Sequence, residues 1–425
     1  MAPYSRGLRV ARSLAGLGWE VEIAAQPGPG LPREERDGAV VIRRWPGSGP
    51  WVDKLARRAG PPGIGRRVVM KAYRIVARRL ACARRHPPPT IRDVRNKLLW
   101  PTADRPWWHT IERELGPADL YHACGYRAIR PALVMAAEAR SRGRLGVVIY
   151  DAIDIAIETN TFIGRHGAWK RLYQRRERAW VRRADAVITT NDAFAADLHR
   201  RLRLRSRPLV LLNTPPRWTP PDPAPDLIRD ALGLGAGQRI VLYLGRLSPN
   251  RGLEQAAKAI ARLDDAVLVL VGFGANEDRE RARAADPRSG GRHFLLPPVP
   301  PDDVPSWAAS ADVTLVALPP TSLNQRLTTP NKFWESLAGG TPVVVGREST
   351  TMRAIVDREG LGAIVDPDDP QDLARGLREI IDADPGERAA MRARCRLAAF
   401  DRYNWETSVG PYLALAERLV GRTSS

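Results

Sequence analysis

A rhythm that runs twice, broken once by prolines, constrains this chain more than any other feature. Short Val/Ile/Leu-rich runs alternate with amphipathic helical stretches. In the first half the runs predict strands at 21–25, 39–44, 119–122, 146–150, 186–190 and 209–212. In the second half they predict strands at 240–244, 267–271, 294–296, 313–316, 342–345 and 363–365. Between the halves stands TPPRWTPPDPAPD, with six prolines in thirteen residues. Proline cannot continue a helix or a central strand, so 214–226 reads as a linker. Short apolar strands alternating with helices argue for parallel sheets covered on both faces. A chain of 425 residues fits two or three domains. The expected architecture is α/β, two Rossmann-like doubly wound domains facing a cleft. Ligands of open α/β sheets bind beyond the carboxyl ends of the strands. The site is therefore expected in loops that follow strands.

One strand is missing from this plan. The chain opens with a helix at 6–17, stopped by Gly18, ahead of its first strand. A doubly wound domain normally begins with a strand and a glycine turn. The reading predicts that Met1 is not the natural start or that the domain is incomplete. The alternative is another segment in that place.

Composition removes several classes. Hydrophobic residues make up 44% and charged residues 27%, a folding composition. No run of about 18 apolar residues exists to span a membrane, and the charged start lacks the apolar core of a signal peptide. The expectation is a cytoplasmic chain, peripheral at the inner face of the membrane if it touches one. Cys82, Cys124 and Cys395 are far apart, and the six histidines show no HExxH spacing, so neither a disulfide framework nor a zinc site is expected.

The net charge is +20, and only six of the 67 basic residues are lysine. Residues 51–100 hold fourteen Lys/Arg against Asp53 and Asp93, a local excess of +12. Within 66–85, Val69, Ala72, Tyr73, Val76 and Leu80 share one helical face, opposite Arg67, Lys71, Arg74 and Arg78. Such a helix can lie on an anionic bilayer, and Trp100, Trp107 and Trp108 suit its interface. Residues 64–108 are thus a candidate for contact with an anionic membrane surface; the plainer reading is a surface helix packed on the first domain. Nucleic acid would tolerate the charge, but no recognition motif accompanies it.

Three segments carry chemistry. In IVLYLGRLSPNRGLEQA a strand ends at Gly245, where backbone can approach a ligand, and Arg246 and Arg251 follow. Two guanidiniums can grip a diphosphate bidentately and stabilise a departing phosphate; solvated arginines in a turn are the plainer account. In TTPNKFWESLAGGTPVVV, Thr328 or Thr329 can cap a helix that starts near Pro330 and ends at Gly339–Gly340. Its amide groups form an anion site, to which Asn331 and Lys332 add donors. Glu335 can accept ribose hydroxyls or complement the helix dipole. VLVLVGFG adds Gly272 after a third strand, a weak signal by itself.

Together these pieces resemble retaining glycosyltransferases of family 4 (glycosyl transferases group 1), with the GT-B fold. The matching blocks run in order as GRLSPNRG, LVGFG, WAASADVTLVAL, PNKFWESLAGGTPVVV and YNWETSVGPYLALAERL. The first half matches more loosely, through RGLRVARSLAGLGWEVEI, ADLYHA and ERAWVRRADAVITTNDAFAADL. The resemblance implies an acceptor-side domain at 1–213 with a basic insertion at 51–104, then the linker. A nucleotide-sugar-binding domain follows at 227–402. A last helix at 403–421 crosses back, placing Trp405 and Tyr412 at the junction.

The resemblance implies roles as well. Arg246 and Arg251 fall on the donor diphosphate, Arg251 standing where family members carry Lys. Glu335 falls on the nucleotide ribose. Its usual glutamate partner eight positions earlier is Leu327 here. The family histidine near the transferred sugar corresponds to His122 or to Cys124, with His122 preferred. Implied catalytic residues are therefore Arg246, Arg251 and His122. Implied donor-binding residues are Gly245, Arg246, Arg251, Gly272, Asn331, Lys332 and Glu335. No metal or other cofactor is implied. The implied nucleotide sugar is a co-substrate, and the implied acceptor is a glycan or lipid-linked acceptor in cell-envelope or exopolysaccharide synthesis. Asp366-Pro367-Asp368 matches a DxD pattern but reads as turn and cap chemistry. An epimerase of the same fold and a non-catalytic membrane- or nucleic-acid-binding protein are the alternatives.

Overall fold

The computed structural model describes residues 5–28, 30–45, 105–159, 167–221 and 226–421. The charged helix expected at 66–85, and Trp100, lie outside the described residues. The chain divides into two compact units. One comprises residues 7–121 and 127–148; the other comprises 2–6, 122–126 and 149–425.

α1 (Ser5–Gly16), which belongs to the first unit from Gly7 on, spaces its apolar residues at helical intervals and buries Val10, Ala11 and Leu14. Gly18 takes φ 75°, which lets the Trp19 amide turn back to the Leu14 carbonyl and ends the helix. Three strands follow: β1 (Val21–Ala25), β2 (Glu34–Asp37) and β3 (Val40–Arg44). β3 pairs in parallel with β1 and antiparallel with β2. α2 (Arg105–Glu114) buries Trp107, Trp108 and Ile111. Trp108 donates its Nε1–H to the Arg127 carbonyl at 2.8 Å, and the Arg130 guanidinium stacks 5.0 Å from its ring. Neither tryptophan is therefore available to a membrane interface, because the fold uses both as core.

β4 (Leu120–Cys124), α3 (Tyr126–Ser141) and β5 (Val147–Ala152) lead from the first unit into the second. α4 (Gly167–Val181), β6 (Ala186–Thr189), α5 (Asp192–Leu202) and β7 (Leu209–Val210) continue the alternation. The strand order is β4-β5-β6-β7. The described strands of the first half thus form a three-stranded and a four-stranded sheet, where a single sheet was expected.

The rest of the second unit is a parallel six-stranded sheet of order β10-β9-β8-β11-β12-β13. In chain order it runs α6 (Leu227–Leu232), β8 (Arg239–Arg246), α7 (Leu253–Ile260), β9 (Ala266–Phe273), α8 (Glu277–Ala285), β10 (His293–Leu296), α9 (Val304–Ala309) and β11 (Val313–Leu315). Then come α10 (Leu323–Leu327), α11 (Asn331–Ala338), β12 (Val343–Gly346), α12 (Thr350–Glu359), β13 (Gly362–Val365), α13 (Pro370–Ile381), α14 (Pro385–Asp401) and α15 (Trp405–Val420). Side chains alternate across β8. Val241 and Tyr243 enter one core with residues of α7 and α13, while Ile240, Leu242 and Leu244 enter another with residues of α6 and α9. Covering both faces explains why this strand reads as an unbroken apolar run. Each fully buried Leu or Val stabilises by about 1.5–3 kcal/mol relative to exposure.

Candidate functional site

The carboxyl ends of the strands in the second unit bring the candidate residues into view. β8 and β9 are in register, so Gly245 lies opposite Gly272. A Cβ on Gly272 would come within 1.8 Å of the Gly245 carbonyl oxygen. Gly272 is thus required by close strand approach, a structural reason that needs no ligand. Gly245, at φ 109°, has open space around it and is exposed. Arg246 is exposed, its guanidinium 5.9 Å from the Phe273 ring, and its carbonyl accepts the Tyr243 hydroxyl at 2.9 Å.

Tyr243 links Arg246 to the second motif. Lys332 Nζ sits 3.3 Å from the centre of the Tyr243 ring. Lys332 is buried, and its Nζ has no hydrogen-bond partner among the described residues. Burial, then the charge of Arg251, hold its pKa well below the ordinary lysine value, with Glu335 pulling the other way. Arg251 donates from Nε to Ser248 Oγ at 3.4 Å. Arg251 and Glu335 are therefore both close enough to act on Lys332. Tyr243 escaped sequence reasoning because a tyrosine inside an apolar strand looks like core; burial pushes its pKa up to about 12.

α11 starts differently from expectation. Its N-cap is Pro330, with no side-chain cap, and Thr328 instead closes α10. The first amides of α11 are left without a capping oxygen from a side chain, which keeps the positive end of the helix available to an anion. The Asn331 side chain is occupied: its Nδ2 donates to Ser5 Oγ at 3.0 Å, and its Oδ1 accepts from Asn213. It ties the start of α11 to Ser5 of α1 and to Asn213 rather than presenting a free donor. Glu335 is buried one turn in.

Loops after β5 and β6 meet the same region. Asn191 caps α5 by accepting the Phe194 amide and donates to the Leu327 carbonyl at 2.9 Å. Asn324 accepts the Ile155 amide at 2.8 Å and donates to Asp154 at 3.0 Å. Asp154 is solvent-exposed, yet the surrounding protein raises its pKa, against the pull of Asn324 and Arg251. Asp154 and Asn324 were invisible in the sequence because neither stands in a patterned motif.

His122 lies in a separate, inward network. Its Nδ1 meets the Tyr412 hydroxyl at 2.9 Å and its Nε2 meets Asp151 Oδ2 at 3.2 Å. Arg6 grips the same carboxylate at 2.7 and 3.0 Å and donates to the Leu211 carbonyl. Burial alone would lower the imidazole pKa; Tyr412, Cys124 and Asp151 outweigh it and raise the value well above normal. Asp151 would be raised by burial, but Arg6 and His122 bring it down to about 2. His122 is thus a residue with both ring nitrogens engaged, and half-buried Cys124 is the neighbouring free thiol. His122, Cys124 and Asp151 lie within 4.8 Å of one another. The bidentate Arg6 and the Tyr412 hydroxyl fit a hydrogen-bonded network better than a cation site. Asp366 and Asp368 fold into a turn, the Asp368 amide donating to Asp366 Oδ1, and Asp369 caps α13. No described helix is long and apolar enough to cross a membrane.

Residues 226–399 match the family model described as glycosyl transferases group 1. The D-inositol 3-phosphate glycosyltransferase of Acidothermus cellulolyticus is 33% identical over 213 residues, which are 46% of this chain and 45% of that protein. The chain thus spans about half the length of the curated relatives it matches. Sucrose-phosphate synthase from Thermosynechococcus elongatus superposes with a TM-score of 0.69 at 18% identity, over 97% of this chain and 92% of that one. Anabaena HepE in complex with UDP-glucose gives 0.56 at 19% identity, over 74% and 81%. The chain has the GT-B fold, and its segment 226–399 is similar to the glycosyl transferases group 1 family.

Proposed function

We propose that the chain is a retaining, metal-independent glycosyltransferase, moving a sugar from a nucleotide-sugar donor to a glycan or lipid-linked acceptor in cell-envelope or exopolysaccharide synthesis. The observation that carries this reading is Lys332. A buried ammonium without an acceptor, beside Arg251 and at an uncapped helix N-terminus, is costly unless an anion completes it. A diphosphate supplies that anion. As the bond from the sugar to the phosphate oxygen breaks, Lys332, Arg251, Arg246 and the α11 amides offset the growing charge without a metal ion. Glu335 accepts the ribose hydroxyls, and the leaving phosphate oxygen takes the acceptor's proton, so no protein base is assigned.

The test is a thermal-shift panel of UDP-, GDP- and ADP-sugars, UDP-glucose first because the HepE neighbour was solved with it. At least one donor should stabilise the chain, and Arg246→Ala should remove that stabilisation. Silence across the whole panel, with the free nucleotides also inert, would end the reading. Turnover of the responding donor with a chelator present tests the metal-independent part.

A further inference from the structure

The net charge of +20 has two local sources. Residues 51–100 carry +12, and residues 167–207, with twelve Lys/Arg against four Asp/Glu, carry the remaining +8. The structure shows what the second source does. α4 is divided lengthwise. Tyr173, Glu177 and Val181 are buried, and Gln174 and Arg178 donate to the Arg201 carbonyl at the end of α5, at 3.3 and 2.8 Å. Arg171, Arg175, Arg176, Arg182 and Arg183 are exposed and have no ion pair or side-chain hydrogen bond among the described residues. Arg171, Arg175 and Arg176 lie on the other face of α4, and Arg182 and Arg183 follow in the turn after it. Arg203 and Arg205, exposed just beyond α5, extend the basic surface.

No acid within α4 is available to pair with these arginines. The only acid in α4 is Glu177, which is buried against Tyr150 and Arg201. Asp197 and Asp192 of α5 are likewise engaged, by Arg201 and Arg207. A surface helix gains from opposite charges at i±4, and crowding like charges works against folding. Exchange of Lys for Arg changes the type of cation but leaves the missing acids unexplained.

We propose that this α4–α5 face docks on an anionic phospholipid bilayer. Guanidiniums match lipid phosphates bidentately. Leu172, 39% exposed, and exposed Ala179 lie among the arginines. Apolar side chains within a basic stripe suit a helix lying at the headgroup boundary. A polynucleotide would call for exposed aromatic or amide groups to stack on or read bases. Gln174, the one amide side chain of α4, is turned inward.

The experiment is co-flotation of the full chain with vesicles of phosphatidylglycerol and phosphatidylcholine, or of phosphatidylcholine alone, without nucleotide. It is therefore independent of whether a donor binds. Binding should require phosphatidylglycerol and weaken with salt. The triple variant R171E/R175E/R182E should abolish measurable partitioning. R171Q/R175Q/R182Q, gentler on the fold, should lose on the order of 100-fold, and R279E/R281E/R353E, elsewhere on the surface, should change little. Unchanged partitioning of both α4 variants would place any membrane contact elsewhere. Equal binding to both vesicles, or release from vesicles by sub-stoichiometric single-stranded DNA, would also overturn the proposal.

Discussion

The six-stranded sheet and the four-stranded sheet are built from the same α/β unit but specified by different forces. In the six-stranded sheet, strands such as β8 and β9 are apolar on both faces and packed between helices. In the four-stranded sheet, the carboxyl ends of the strands are held by buried charge and amide networks. Arg6, Asp151, Glu177, Asn191 and Asp197 are all buried there. Hydrophobic burial tolerates substitution of similar volume, whereas a buried ion pair tolerates almost none, because removing one partner strands the other. Two sheets built from one kind of α/β unit can therefore differ sharply in how they fail.

The comparison breaks most directly at Asp151. Asp151→Ala leaves the Arg6 guanidinium buried without its carboxylate and should cost roughly 3–5 kcal/mol in urea unfolding. An effect below about 1 kcal/mol would mean that the network is not a structural centre. Its pH dependence has a definite sign. The folded pKa of Asp151, about 2, lies below its ordinary 3.8, so its contribution is present above about pH 4 and is lost as pH falls towards 2. His122 runs the other way. Its raised pKa makes its contribution full below the ordinary 6.5 and lost as pH rises through the raised value.

The six-stranded sheet should be sensitive where backbone meets backbone. Gly272→Ala forces a Cβ onto the Gly245 carbonyl and should destabilise by about 3 kcal/mol. A thermal midpoint equal to the parent's would show that β8 and β9 separate more easily than their register implies.

The smallest expected stability effect is at Lys332, and it sharpens the contrast between a structural and a functional buried charge. Lys332→Met removes a buried amine whose Nζ has no hydrogen-bond partner among the described residues, so stability should hold or rise slightly. Affinity for the responding donor should fall about 100-fold. Parallel loss of stability and affinity would make Lys332 structural. In the parent, donor binding should take up a proton. Affinity should therefore decline as pH rises between the free and the bound pKa of Lys332, measured by titration calorimetry in buffers of different ionisation enthalpy.

Much of the fold was legible. Eight-residue β8 and β9 stood out as apolar runs, and α11 was readable from Asn331 to Ala338. β2, EERD, was not: it has no apolar residue and is held by its ladder to β3 and by Arg43–Glu34 and Arg44–Glu35 pairs across it. Within the site, Arg246, Arg251, Lys332 and Glu335 were legible because they belong to contiguous motifs. Asp154, Tyr243 and Asn324 were not, because what marks them is a neighbour far away in the chain.

The order of apolar runs, glycines and helix stops is written locally, so the sequence by itself determined the α/β alternation and the chemistry of the candidate anion-binding motifs. Tertiary structure alone decided which charges are neutralised. Asp151 finds Arg6 145 residues away, His122 finds Tyr412 290 residues away, and Lys332 Nζ meets the Tyr243 ring with no hydrogen-bond partner among the described residues. The physical reason is that burial and partner distance set the cost of a charge, and neither is encoded by neighbours in the chain.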